Sequence, residues 1–383
     1  MWRIPLSELN TDDAETSAVK AVLESGWLTM GPRTEEFESR FAAMHGAKHA
    51  IAVTNCTCAL DLSYRYIVRS STIPQPRIII PDITFVATAN AAYSAGTTPL
   101  LADIDSPAAP FLSPHQTEQI LSTRHDIAAV VIVHYAGIDS RSEQFAEICK
   151  RFNVPLIEDC AHSPGASTAS GRSLGTIGLA GCFSFFSNKN MTTGEGGMII
   201  TNDDAMAHWL RKARSHGMTS GTWNRHTTAR FGYDVKMAGF NYRCTEITAA
   251  LGLVQLQKLA DANAARRRLT SLYNQLLSGD SRFKVLTAPD LPGDQSACHI
   301  LPLLCDSPST RDAVRKSLTH ESIQTSHHYA PIHTFSYYQQ QNTSSSQFPN
   351  ANSFAEREIT LPLHPKLSPA HIEEICHRIT SIQ

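Results

Sequence analysis

Lys189 lies in FSFFSNKN (Phe183–Asn190), directly ahead of the glycine-rich TTGEGG (Thr192–Gly197), where backbone can turn sharply or approach a ligand closely. A lysine amine attacks a carbonyl only when neutral, so such a lysine must titrate below its ordinary ~10.4. Asp159 closes PLIED (Pro155–Asp159) and precedes CAHSPGA; it suits either a capping role or a partner for a protonated ring nitrogen. Thr57 and Cys58 follow an apolar run and open a helical pattern. Free N–H groups and the positive dipole end at such a point suit a phosphate. Ser184 adds a hydroxyl, and Phe85 adds a ring in DITFVAT (Asp82–Thr88). A surface-loop lysine, an ordinary cap and a core phenylalanine would each explain one residue alone. Together, the amine, the acid, the phosphate donors and the flat ring are what pyridoxal 5'-phosphate (PLP) requires.

These residues must be brought together by strands. Ala47–Thr54, Arg77–Ile80, Ala128–His134, Pro155–Glu158, Cys182–Phe186 and Gly197–Thr201 read as short apolar strands. Helical patterns at Ala59–Val68, Ala87–Ala95 and Ser142–Phe152 separate them. The alternation predicts an α/β fold with a mainly parallel sheet flanked by helices, with ligands beyond the carboxyl ends of the strands. Lys189, Asp159, Thr57 and Phe85 each follow such an end. Ile247–Ala265 is a long amphipathic bridge toward a smaller C-terminal α+β domain. The expected division is a large domain with an N-terminal arm over residues 1–255 and a small one over 256–383. Gln339–Gln347 is a polar low-complexity stretch that reads as a surface loop.

Composition excludes several classes. Among 383 residues, 42% are hydrophobic and 18% charged, with a net charge of −2 and no basic segment beyond Arg266–Arg268. Nucleic acid is therefore not an expected partner. The nine cysteines are odd in number and scattered, as expected of reduced thiols, and Cys56-x-Cys58 has the wrong spacing for a zinc knuckle, so no metal is expected. No apolar run approaches the ~20 residues that span a bilayer, and the first residues lack a signal-peptide pattern. The expectation is a cytoplasmic protein without membrane contact.

Eight segments carry a resemblance in order along the chain. The first four are SGWLTMGPRTEEFE (Ser25–Glu38), NCTCALDL (Asn55–Leu62), DITFVATANA (Asp82–Ala91) and IEDCAHSPGA (Ile157–Ala166). The others are CFSFFSNKNMTTGEGGMIITND (Cys182–Asp203), GFNYRCTEITAALGLVQLQKL (Gly239–Leu259), HHYAPIHTFSYY (His327–Tyr338) and LPLHP (Leu361–Pro365). Together they resemble the DegT/DnrJ/StrS sugar aminotransferases, a branch of the fold-type I PLP enzymes. The resemblance implies that Lys189 holds PLP as a Schiff base and that Asp159 pairs with the pyridinium. It places His162 near the ring and Thr57, the Cys58 backbone N–H and Ser184 around the phosphate. Phe85 would stack on the ring. Asn241 would reach the phosphate of a neighbouring subunit, which implies a homodimer with shared active sites. The chain departs from the family in having Cys58 at a position usually small, and Phe186-Ser187-Asn188 where His-Pro-Thr is frequent.

The implied reaction is ping-pong transfer of an amino group from L-glutamate to a nucleotide-linked keto hexose, in the UDP- or dTDP-4-keto class. HHYAPIHTFSYY is similar to the corresponding segment of UDP-4-keto-sugar aminotransferases and makes His328, His333 and Tyr338 the expected substrate-side residues. A domain-interface role would equally explain any one of them. Arg225 and Arg230, in the Gly/Thr/Arg-rich stretch Thr219–Val235, are candidates for the diphosphate, although a solvated loop explains them too. Two rivals share the scaffold. A PLP-dependent sugar dehydratase would carry histidine in place of Lys189. A non-catalytic PLP-binding regulator would carry an added DNA-binding segment, and none is evident.

Overall fold

The computed structural model describes residues 2–69, 71–228, 232–287, 295–340 and 347–382. Among the described residues, twelve strands form three sheets: β1 (His49–Val53), β2 (Arg77–Pro81), β3 (Thr98–Ala102), β4 (Ile104–Ser106), β5 (Ala109–Leu112), β6 (Ile127–Val133), β7 (Leu156–Asp159), β8 (Ala180–Ser184), β9 (Gly197–Thr201), β10 (Phe283–Val285), β11 (Leu301–Cys305) and β12 (Glu358–Leu361). The large sheet has the order β1-β9-β8-β7-β6-β2-β3. It is parallel except for β9, which runs opposite to both its neighbours. Two reversals restore direction, so β1 ends at the same edge as β7 and β8. Every residue of β6 (IAAVVIV) is buried, as expected of a strand covered on both faces.

The flanking helices begin where the sequence offers caps. Asn55 accepts from the Cys58 N–H at the start of helix Cys56–Val68, and Asp203 caps Asp204–Ala213. Pro32 opens Pro32–His45, and Gly46 closes it in the left-handed region (φ 66°). The bridging helix is longer than its apolar pattern suggests, running from Glu246 to Leu277. Its early part packs Ala249 and Leu253 against the large-sheet core, while Leu269, Tyr273 and Leu277 belong to a second core around the antiparallel β10-β11-β12 sheet.

The expected split at residue 255 therefore falls inside one continuous helix. Nor does everything beyond it stay with the small sheet. Ile332 and Tyr338 return to the large-sheet core, and Ile4 from the N-terminal arm joins the small one. Residues 341–346 of the polar stretch at Gln339–Gln347 lie outside the described residues. No described helix is long and apolar enough to cross a membrane.

Candidate active site

A cleft of about 420 Å³ opens at the carboxyl edge of the large sheet. Asp159 is the last residue of β7 and is registered beside Cys182 of β8. Ser184 ends β8, and the turn after it carries Lys189. Thr57 arrives from the helix after β1, and Phe85 from the segment after β2. Lys189, Asp159, Thr57, Ser184, Phe85, His162 and His328 all line this cleft.

Burial drives the electrostatics. It pushes the Lys189 amine down to about 8, against the attraction of Cys56 and Asp159. A larger neutral fraction at neutral pH is what a carbonyl nucleophile needs. Burial also raises the Asp159 carboxyl, which is offset by the Thr88 hydroxyl, the Ala161 N–H and the charge of Lys189. Thr88 Oγ1 donates to Asp159 Oδ2 at 2.8 Å, and Ala161 N–H donates to Oδ1 at 3.1 Å. Thr84 lies 2.8 Å behind Thr88, completing a hydroxyl chain that aims the carboxylate.

His162 has a defined tautomer. Its Nδ1 accepts the Ala136 N–H at 3.2 Å, so Nε2 carries the proton toward Tyr329 Oη at 2.9 Å. Burial, with Lys189 nearby, holds it neutral well below the usual histidine range. His328 is fixed from behind. Nδ1 lies 2.8 Å from Thr360 Oγ1, whose hydroxyl donates to buried Glu358. Nδ1 is therefore the donor, and Nε2 is left as an acceptor. Burial pushes His328 down to about 4, so it too is neutral.

Several expected residues lie elsewhere. The Cys58 N–H is already taken by Asn55 Oδ1 at 2.9 Å, so the anticipated phosphate donor is engaged as a helix cap. The remaining first-turn donors, on Cys56 and Thr57, have no acceptor within the helix and line the cleft. His333 is buried beneath the β2 end, where its ring and backbone N–H both bind Asp82, at 2.6 and 2.9 Å. Tyr338 donates to Asn90 at 2.6 Å within the large-sheet core. Neither His333 nor Tyr338 lines the cleft, because the apolar Ile332 and Tyr338 anchor this segment back onto the large domain.

Arg225 donates to the Ser220 carbonyl and lies over the Tyr233 ring, away from the cleft. Arg230 lies outside the described residues. Asn241 is exposed and does not line its own chain's cleft. Sequence reasoning did not single out Thr88, Tyr329 or His299. Thr88 and Tyr329 sit inside quoted motifs, whereas nothing local marks His299.

The donor set fits PLP. Thr57, Ser184 and the helix start suit its phosphate, Asp159 suits its pyridine nitrogen, and Phe85, 57% exposed, offers a free ring face. The buried Asn188 Oδ1, also at the cleft, has no hydrogen-bond partner among the described residues.

The DegT/DnrJ/EryC1/StrS aminotransferase family matches residues 10–380. The spore coat polysaccharide biosynthesis protein SpsC of Bacillus subtilis is 34% identical over 375 residues, covering 96% of this chain and 94% of its own. Among solved structures, Helicobacter pylori PseC, an aminotransferase involved in the biosynthesis of pseudoaminic acid, superposes with a TM-score of 0.89 at 31% identity over 98% of this chain and 97% of that one. The PMP form of Spr1654 from Streptococcus pneumoniae gives 0.89 at 26% identity, covering 98% of each chain. The chain belongs to the DegT/DnrJ/EryC1/StrS aminotransferase family, whose cofactor is pyridoxal phosphate.

Proposed function

We propose that this sugar aminotransferase moves an amino group from L-glutamate to a nucleotide-linked 4-keto hexose, of the UDP or dTDP class. The observation that carries the reading is the meeting of Lys189 and Asp159 in one cleft, with the Lys189 amine pushed down to about 8. Bound PLP supplies an aldehyde for an amine and a ring that accepts electrons. Lys189 would contribute the amine that anchors the cofactor and would be placed to hold and move a proton at Nζ. Asp159, aimed by Thr88, keeps the ring nitrogen protonated. Thr57, the Cys56–Thr57 N–H groups and Ser184 would hold the cofactor's phosphate, and Phe85 would lie against its ring. His162 stays neutral and donates to Tyr329, so it adds no charge against Lys189.

His328 presents an acceptor nitrogen to the cleft and suits a sugar hydroxyl. A nucleotide-linked acceptor is supported by the similar structure of DesI in the presence of its TDP-sugar product, at 26% identity and a TM-score of 0.84. The exposed Asn241 suits a role in the site of a second copy, and we read the working unit as a homodimer. Nine cysteines scattered through the chain, eight of them buried, support a reducing, cytoplasmic setting. L-Glutamate added to the yellow holoenzyme should bleach the visible absorbance, and a UDP- or dTDP-4-keto hexose should restore it. Absence of bleaching with every amino donor would leave a non-catalytic PLP protein.

A further inference from the structure

His299 belongs to no motif and precedes β11 on the small-sheet side, yet it reaches the lysine. Its Nε2 lies 3.4 Å from Lys189 Nζ, at the long end of hydrogen bonding, and its Nδ1 lies 2.8 Å from Asn190 Oδ1. Consecutive residues thus hold opposite nitrogens of one imidazole. The tautomer follows from Asn190, whose amide group donates to Ala297 O at 2.6 Å and to Asn263 Oδ1 at 2.7 Å. Asn263 in turn donates to the Pro164 carbonyl at 2.9 Å. With both protons of Asn190 committed, its oxygen can only accept, so His299 carries hydrogen on Nδ1. Nε2 is then a lone pair facing the lysine. All three supporting side chains are buried.

We propose that His299 is a positioning residue that docks the free amine of Lys189 whenever that amine is not joined to the cofactor. The inference rests on Lys189 being the PLP lysine. His299 is not itself the base. Burial holds it neutral far below the usual range, helped by His162, Lys189, Arg266 and His328. The His162 ring centroid lies 4.3 Å away. Asp159 and Cys56 are the charged or titratable groups that face the lysine from the large-sheet side. A neutral acceptor binds an ammonium N–H more strongly than an amine N–H. It therefore retains the proton on Lys189 against burial and holds the freed side chain at one place beside the ring. Sequence adjacency of Lys189 and Asn190 ties the dock to the lysine's own turn.

The test uses the holoenzyme in its pyridoxamine phosphate form, where Lys189 is free. Competitive acetylation by acetic anhydride, followed by peptide mass spectrometry across pH, gives the titration midpoint of that one amine without assaying turnover. His299→Leu should lower the midpoint by about one unit, the scale of a lost charge-assisted hydrogen bond. His299→Gln, which can present an oxygen, should recover at least half of that displacement. Asn190→Leu, which frees the tautomer, should give a smaller shift in the same direction and serves if His299→Leu does not fold. A midpoint indifferent to both leucine variants overturns the dock. Borohydride reduction of the wild-type PLP form separates the two readings. Cofactor trapped on Lys189 with an indifferent midpoint sinks only the His299 assignment, whereas cofactor trapped elsewhere sinks both.

Discussion

The strand ends of the large sheet and the His327–Tyr338 segment both supply histidines and hydroxyls, yet they use them differently. At the strand ends, Asp159, Ser184 and the turn bearing Lys189 point to one edge because parallel strands must finish together. In His327–Tyr338, spacing within the motif does not predict which side chain meets the cleft. His328 and Tyr329 line it, while five residues later His333 is sealed onto Asp82. The difference is one of constraint. A strand end fixes direction, whereas an irregular segment crossing between two cores is aimed by whatever apolar anchors it carries, here Ile332 and Tyr338.

Breaking the strand-end side should have the largest effect. Lys189→Ala should lower the single-turnover rate with L-glutamate by at least ~10²–10⁴-fold and abolish borohydride trapping of cofactor. Next comes the sealed histidine. His333→Ala leaves Asp82 buried with only a backbone donor from that residue and should cost about 3 kcal/mol in denaturant unfolding, with kcat retained below the melting transition. His328→Ala should do the reverse. We expect about a tenfold rise in KM for the keto sugar with stability and the glutamate half-reaction little changed. If His333→Ala instead raises KM while leaving stability intact, the contrast fails.

Thr57→Ala should weaken PLP binding up to about tenfold, read as a dissociation constant by fluorescence titration. The gentlest probe is pH. Because Lys189 is depressed to about 8, its neutral, nucleophilic form dominates above that value. The rate at which cofactor-free protein captures PLP should climb below pH 8 and level off above it. An ordinary lysine would keep climbing toward ~10.4.

Much of this was legible in the residues. The continuous apolar runs at β6 and β9 marked strands, and Lys189, Asp159, Thr57 and Phe85 were each marked by following one, with Ser184 inside another. Strand β3 (TPLLA) was missed because its proline and brevity hide the pattern. The Cys58 donor was misread because the Asn55 cap competes for the same N–H, and local spacing cannot say which acceptor wins. Helix Glu246–Leu277 was read short because its buried face includes Gln255, Asn263 and Arg266, polar side chains that interrupt the apolar stripe.

By itself, the sequence determined the chemistry: a lysine rather than a histidine at 189, an acid at a strand end, and hydroxyls at a helix start. These depend on residue type and on short continuous apolar runs, which are local. Only the tertiary structure decided the company Lys189 keeps. His299 comes from 110 positions away, its tautomer is set by a chain of buried amides, and the burial that moves the lysine's titration comes from the elements packed around the cleft. Such contacts follow from how two cores pack on one helix, and nothing in the neighbouring sequence encodes them.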